Sequence, residues 1–134
     1  MKNKTIEKSI EINAPASRVW RVFVDPEVTR QIGGEYVSDW EAGSSFGFKG
    51  LDGTMLTDGI ILQLEPERFL QHSLFNSLAS NDSIITYKLE ELDGITTLHA
   101  LEEFTVPLSD QDHSDSAEGW DAALSAVKAI AESL

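Results

Sequence analysis

The side chains with the most chemical potential are two histidines, His72 and His99, and two carboxylates, Asp58 and Glu102, all set in β-like text. An imidazole titrates near neutral pH and can serve as a general base or a ligand. His72 and His99 fall in predicted strands and could approach each other. No neighbouring carboxylate is identifiable for either, so each reads first as an ordinary strand residue. Asp58 alternates with Leu56, Ile60 and Leu62. If those residues face inward, Asp58 does too, and a carboxylate there needs a partner or is pushed toward its neutral form. Glu102 shares parity with Leu98 and Ala100. The two acids then form a pocket pair for a cationic or hydroxylated ligand, or an acid and a base; alternatively a bulge or strand end turns both to solvent. The second reading is favoured.

The remaining inventory is negative. There is no cysteine, hence no thiol nucleophile, disulfide or thiolate metal site. Gly43-Ser44-Ser45-Phe46-Gly47 spells Gly-x-Ser-x-Gly but leads from a turn into a predicted strand, so it is no nucleophile elbow, and the glycine-rich stretches lack phosphate-loop spacing. The run Asp110-Gln111-Asp112-His113-Ser114 echoes a calcium loop with Asp121 twelfth. Its sixth position is Asp115, where such a loop needs glycine, and no entering helix precedes it. No catalytic residue, metal or cofactor is therefore assigned.

The elements that must position these groups are legible from periodicity. Ile6, Ile10 and Ile12 alternate with Glu7, Ser9 and Glu11, the period of a half-buried strand. Asn13-Ala14-Pro15 ends it, and Pro15 suits the first turn of a helix. Ala16, Val19, Trp20 and Phe23 then form one apolar helical face, stopped by Asp25-Pro26. A short helical turn is expected from Val28 to Ile32. Six strands follow, separated by turns: Tyr36 to Trp40, Ser45 to Lys49, Thr54 to Glu65, Phe69 to Phe75, one through Ile85 to Leu89, and Ile95 to Val106. Asp52-Gly53 and Asp93-Gly94 are hairpin signals, and further turns are expected at Pro66-Glu67 and Asn81-Asp82. Leu108 to Ser114 reads as a loop, and Asp115 with Glu118 resembles a capping box. The last helix carries Trp120, Leu124, Val127, Ala131 and Leu134 as a stripe about four turns long.

The 134 residues fit one domain over the whole chain, 41% hydrophobic and 25% charged. Net charge is -13. From Glu90 to Asp121 there are ten acidic residues and no Lys or Arg. Such a surface repels nucleic acid and anionic membranes. It serves as a solubilising rim or as a docking face for a basic protein partner. No apolar stretch is long enough for membrane insertion. Alternating Ile and Glu follow the basic Met1-Lys2-Asn3-Lys4 in place of a signal core, so a cytoplasmic location is expected.

Sequential hairpins build an antiparallel sheet with one apolar face, on which the long helix must bury its stripe. A twisted sheet curves away from a straight helix, which can leave a hydrophobic cavity between them. Trp40, Phe46, Phe48, Tyr87 and Trp120 would line it. Trp20, Leu56, Asp58, Leu62, Leu98, Leu124 and Val127 complete the expected ligand-binding set. The alternative is that the same residues interlock as a dry core.

Three stretches resemble the family related to activators of the Hsp90 ATPase, within the START-like (SRPBCC) helix-grip superfamily. The first is Ile10-Glu11-Ile12-Asn13-Ala14-Pro15 with Val19-Trp20 and Asp25-Pro26. The second joins Trp40-Glu41-Ala42-Gly43-Ser44-Ser45-Phe46 to Gly59-Ile60-Ile61-Leu62-Gln63-Leu64-Glu65-Pro66-Glu67-Arg68-Phe69. The third is Ile85-Thr86-Tyr87-Lys88-Leu89 with Gly119-Trp120 and Leu124. The resemblance spans nearly the whole chain. It implies an α+β helix-grip fold, a curved antiparallel sheet of about seven strands wrapped around the C-terminal helix. Two positions depart from the family pattern: Ser73 stands where a bulky aromatic is common, and the stretch after Leu101 is one residue short. The expected function is non-enzymatic binding of a small, mostly hydrophobic molecule. The alternatives are a protein-interaction domain regulating an Hsp90-type ATPase through the acidic segment, and a cyclase- or hydrolase-type enzyme using the same pocket.

Overall fold

The computed structural model describes residues 3–76 and 81–134; Met1 and Lys2, which open the basic N-terminus, lie outside them. Strand β1 (Thr5–Ile12) is followed by helices α1 (Ala16–Val24) and α2 (Pro26–Thr29) and a 3-10 turn over Arg30–Ile32. Six strands follow: β2 (Gly34–Ser38), β3 (Ser45–Gly50), β4 (Met55–Glu65), β5 (Phe69–Asn76), β6 (Asn81–Leu92) and β7 (Ile95–Phe104). Helix α3 (Asp110–Ser133) closes the chain. The strands form one seven-stranded antiparallel sheet in the order β1-β7-β6-β5-β4-β3-β2. This is the α+β helix-grip architecture.

Each helix starts where its free N–H groups find an acceptor. Helix α1 has no side-chain cap of its own, and the Ala16 N–H donates to Glu91 Oε1 of β6 at 2.7 Å. A carboxylate there also suits the positive end of the helix. Asp25 caps α2 through the Glu27 N–H. Helix α3 begins earlier than the Asp115–Glu118 pattern implies: Ser109 accepts from the Asp112 N–H at 3.1 Å, and Asp110 and Asp112 lie in the first turn. The calcium-like run Asp110 to Ser114 is thus helix, and only Leu108 and Ser109 of the expected loop lie outside it. A serine cap followed by acidic residues is a strong start signal that the Asp115 reading overlooked.

The core lies on one face of the sheet. Ile12, Val19, Val22, Ile61, Leu70 and Leu98 are shut off from solvent, with α1 laid over them by its Ala16, Val19, Trp20 and Phe23 face. Helix α3 buries Leu124, Val127, Ile130 and Ala131, packing chiefly against β1 and α1, while Leu134 stays exposed. Each large side chain buried in this way contributes about 1.5–3 kcal/mol.

Strand β4 overturns one sequence expectation. Its register against β5 runs Ile61↔His72 and then Gln63↔Gln71, so Leu62 is an extra, bulged residue. Parity changes there. Leu64 faces the core, but upstream of the bulge it is Ile61 that is buried, and Ile60, Leu62 and Asp58 face solvent. A second register shift, Phe48↔Thr57 and then Lys49↔Met55, leaves Leu56 unpaired at the strand's edge. Two smaller differences concern turns. Trp40 lies past the end of β2 in a left-handed conformation, and Asn81 and Asp82 pair with β5 as strand.

Candidate functional site

Over the inner face of the sheet lies an apolar cleft of about 390 Å³, lined by Ile32, Tyr36, Phe46, Phe48, Leu56, Thr57, His72, Leu74, Ile85 and Tyr87. This volume is in the lower part of the range for small-molecule pockets, about 300–1,000 Å³. Its walls come from five strands and the 3-10 turn. Tyr36 and Phe48 sit directly opposite each other in the β2–β3 register. Their rings meet edge-on at 5.1 Å, and Tyr36 stacks on Phe46 at 5.2 Å. Trp40 closes on Phe46 at 5.6 Å, so its left-handed turn folds the indole back over the aromatic wall.

The floor carries a histidine. His72 is 2% exposed, shares the inner face with Leu70 and Leu74, and stacks near Phe46 with centroids 4.1 Å apart. Its Nδ1 is 2.9 Å from the Ser73 carbonyl oxygen. A carbonyl only accepts, so Nδ1 carries the proton and Nε2 is left as a bare acceptor. Among the described residues Nε2 is the single buried side-chain polar atom with no hydrogen-bond partner. Burial opposes the imidazolium and lowers the His72 pKa to about 4, despite the Ser73 carbonyl. The ring is therefore neutral at physiological pH.

The backbone around His72 explains this geometry. Pairing between β4 and β5 lapses at Gly59 and Ile60, and the Ile60 N–H donates to Ser73 Oγ at 2.9 Å. A Cβ on Gly59 would come within 1.9 Å of the Ser73 carbonyl oxygen. Only glycine lets that carbonyl sit where it receives the His72 proton.

A second polar group enters from the other side. The Tyr36 and Tyr87 hydroxyls interact there; burial raises the Tyr36 pKa to about 12 and raises that of Tyr87 well above its ordinary value. The negative charge of Glu102 adds to the effect on Tyr87. Glu102 is itself buried: its Oε1 accepts from Trp120 Nε1 at 2.8 Å and its Oε2 from Ser83 Oγ at 2.6 Å. It thereby ties α3 to the sheet. The Trp120 ring meets Tyr87 edge-on at 5.8 Å.

The sequence-derived residues separate into four groups. Phe46, Phe48, Leu56 and Tyr87 line the cleft. Trp40 and Trp120 back it through ring contacts. Trp20, Leu98, Leu124 and Val127 are core residues behind it. Asp58 and Leu62 lie on the opposite face of the sheet, outward because of the Leu62 bulge. Asp58 and Glu102 are consequently no pair: one is exposed, the other buried. The favoured expectation that both turn to solvent fails for Glu102, because β7 keeps unbroken register with β6 through that point. His72 and His99 do not meet either. His99 is on the outer face, 3.2 Å from Glu90 Oε1.

Sequence reasoning missed Ile32, Tyr36, Thr57, Leu74, Ile85 and the importance of His72. The parity of Leu70, His72 and Leu74 was a usable signal for the histidine. A larger hollow of about 580 Å³ lies on the outer face around Asp58, Ile60, Phe75 and Ile84. These side chains are themselves exposed, and among the described residues no unpartnered buried group lines it.

Comparison with known proteins agrees with this architecture. The model of the family described as Activator of Hsp90 ATPase homolog 1-like protein matches residues 13–132. The crystal structure of CalU16 from Micromonospora echinospora is similar at 26% identity and TM-score 0.78, over 95% of this chain and 75% of that one. The solution structure of ChR145 from Cytophaga Hutchinsonii is similar at 26% identity and TM-score 0.79, over 99% and 97% of the two chains. DynU16, from the dynemicin biosynthetic locus, has TM-score 0.84 at 18% identity, over 96% of this chain and 47% of that one, a likeness of fold alone. No curated protein matches the chain.

Proposed function

This chain belongs to the family of Activator of Hsp90 ATPase homolog 1-like proteins, and on that footing we propose that it binds a small, mostly hydrophobic molecule, without turnover, in the cleft over the inner face of its sheet. The observation that carries this reading is the cleft itself: rings from Tyr36, Phe46, Phe48 and Tyr87 converge on about 390 Å³ of space with few polar points. Apolar clefts with sparse polar groups are the usual form of a ligand site. A binding role fits the chemistry better than catalysis. The one imidazole in the cleft has its pKa lowered to about 4, which makes it a weak base at neutral pH. The buried carboxylate of Glu102 is already engaged by two donors.

The test is a screen of lipids, sterols and aromatic metabolites by melting shift and NMR titration. Binding is expected to move the resonances of Tyr36, Phe46, Phe48, Ile85 and Tyr87 together. If no compound in the panel shifts the melting temperature or those resonances, the proposal fails. The family description suggests a second reading, regulation of an Hsp90-type ATPase. Its surface would be the exposed carboxylates Asp112, Asp115 and Glu118 on α3. An unchanged chaperone ATPase rate on addition of the protein would remove that alternative.

A further inference from the structure

A buried acceptor without a partner is costly in a protein interior, and the cost is recovered by whatever donor reaches it. His72 Nε2 is such an acceptor. Its orientation is set by the backbone, since Nδ1–H is committed to the Ser73 carbonyl at 2.9 Å and Gly59 leaves that carbonyl room to stay in place. The imidazole lines the cleft, sandwiched between the Phe46 ring and, farther off, the Tyr87 ring, with centroids 4.1 and 6.1 Å away. Of the other polar side chains lining the cleft, Thr57 Oγ1 accepts from the Phe48 N–H at 3.2 Å. Among the described residues the one buried side-chain polar atom without a partner is therefore an acceptor at the cleft.

We propose that His72 Nε2 is the specificity-determining contact of the cleft, selecting neutral, flat, mostly apolar molecules that carry one O–H or N–H donor. This rests on the cleft being a ligand site. A bare imidazole nitrogen offers nothing to a carboxylate or another pure acceptor, and the net charge of -13 further disfavours anions. Fatty-acid-type carboxylates are therefore disfavoured at this contact, whereas hydroxylated rings are favoured. Nε2 is closed to solvent, so the donor reaches it only as a neighbouring ring gives way.

The probes are naphthalene, 2-naphthol and 2-naphthoate, three molecules of one shape, titrated against the full chain by NMR and fluorescence. The wild type is expected to bind 2-naphthol about tenfold more tightly than naphthalene, the gain of one recovered hydrogen bond, and 2-naphthoate most weakly. His72→Phe is expected to keep naphthalene binding and lose the preference. On 2-naphthol binding the unprotonated Nε2 signal of 15N-labelled His72 should move in the direction of an accepted hydrogen bond, with Phe46 ring signals shifting alongside. This measurement uses the wild type and decides the matter if the variant does not fold. Equal affinity for naphthalene and 2-naphthol, or an unmoved Nε2 signal at saturation, would overturn the His72 role while leaving the cleft as a ligand site. Failure of all three probes to bind would remove both.

Discussion

The two faces of the sheet treat the same residue types in opposite ways. His72 and His99 sit two strands apart, yet one is 2% exposed and neutral by burial, while the other stands on the outer face beside Glu90. The carboxylates divide likewise. Glu102 is enclosed and holds Trp120 and Ser83, whereas Asp58 faces water. Residue type alone says little about what an ionisable group can do; the face it occupies decides whether its bonds are open, spent or left to solvent. Among the described residues the one buried side-chain polar atom left without a partner, His72 Nε2, belongs to a residue lining the cleft.

This contrast can be broken by substitutions paired across the faces. The largest effect is expected on β4, where the bulge makes neighbours unlike. Ile61→Ala should cost about 3 kcal/mol or more in chemical denaturation, and Ile60→Ala about 0.5 kcal/mol or less. Equal costs would mean that the strand's parity is not as described.

The next effect is one of pH. His72 has its pKa lowered in the folded state from 6.5 to about 4, so between those values the unfolded chain binds a proton that the folded chain refuses. Its contribution is therefore complete above about pH 6.5 and is lost as pH falls toward 4. The loss amounts to about 3 kcal/mol for a shift of this size. Stability measured from pH 7 to 4 should fall less steeply in His72→Phe than in the wild type.

Glu102→Ala leaves two donors beneath α3 without their acceptor and should cost about 2 kcal/mol, against about 0.5 kcal/mol or less for Asp58→Ala. Glu102→Gln, which keeps an acceptor, should recover much of the loss. Gly59 tests the backbone beneath the histidine: a Cβ there would lie 1.9 Å from the Ser73 carbonyl oxygen and forces the strands to shift, so Gly59→Ala should cost about 3 kcal/mol or more. It should also disturb the His72 tautomer, visible as a change in the Nδ1 and Nε2 signals. A stable Gly59→Ala protein with unchanged imidazole signals would detach the glycine from the site.

Much of the fold was legible because it is written in short-range patterns. The alternation of Ile6, Ile10 and Ile12 gave β1, and the spacing of Ala16, Val19, Trp20 and Phe23 gave α1 with its buried face. Asp52-Gly53 and Asp93-Gly94 marked hairpins that the structure contains, with Gly53 and Gly94 at positive φ. The family resemblance then ordered these pieces into a helix-grip fold, and the family match and structural likenesses agree. The aromatic wall of Phe46, Phe48 and Tyr87 was legible for the same reason, since strand parity alone sets those rings inward.

What sequence could not determine is everything that depends on where one strand's register meets the next. The bulge at Leu62 turned Asp58 out, the pairing lapse at Gly59 and Ile60 freed the Ser73 carbonyl for His72, and unbroken pairing of β6 with β7 kept Glu102 in. A single extra residue reverses the face of every side chain before it, and the sequence carries no local mark of where that residue falls. Periodicity is a property of neighbours in the chain, and tertiary structure alone chose the neighbours across the sheet. The positions of the helices and the set of inward rings thus follow from the sequence, whereas the one unpaired acceptor at the bottom of the cleft was decided by the fold.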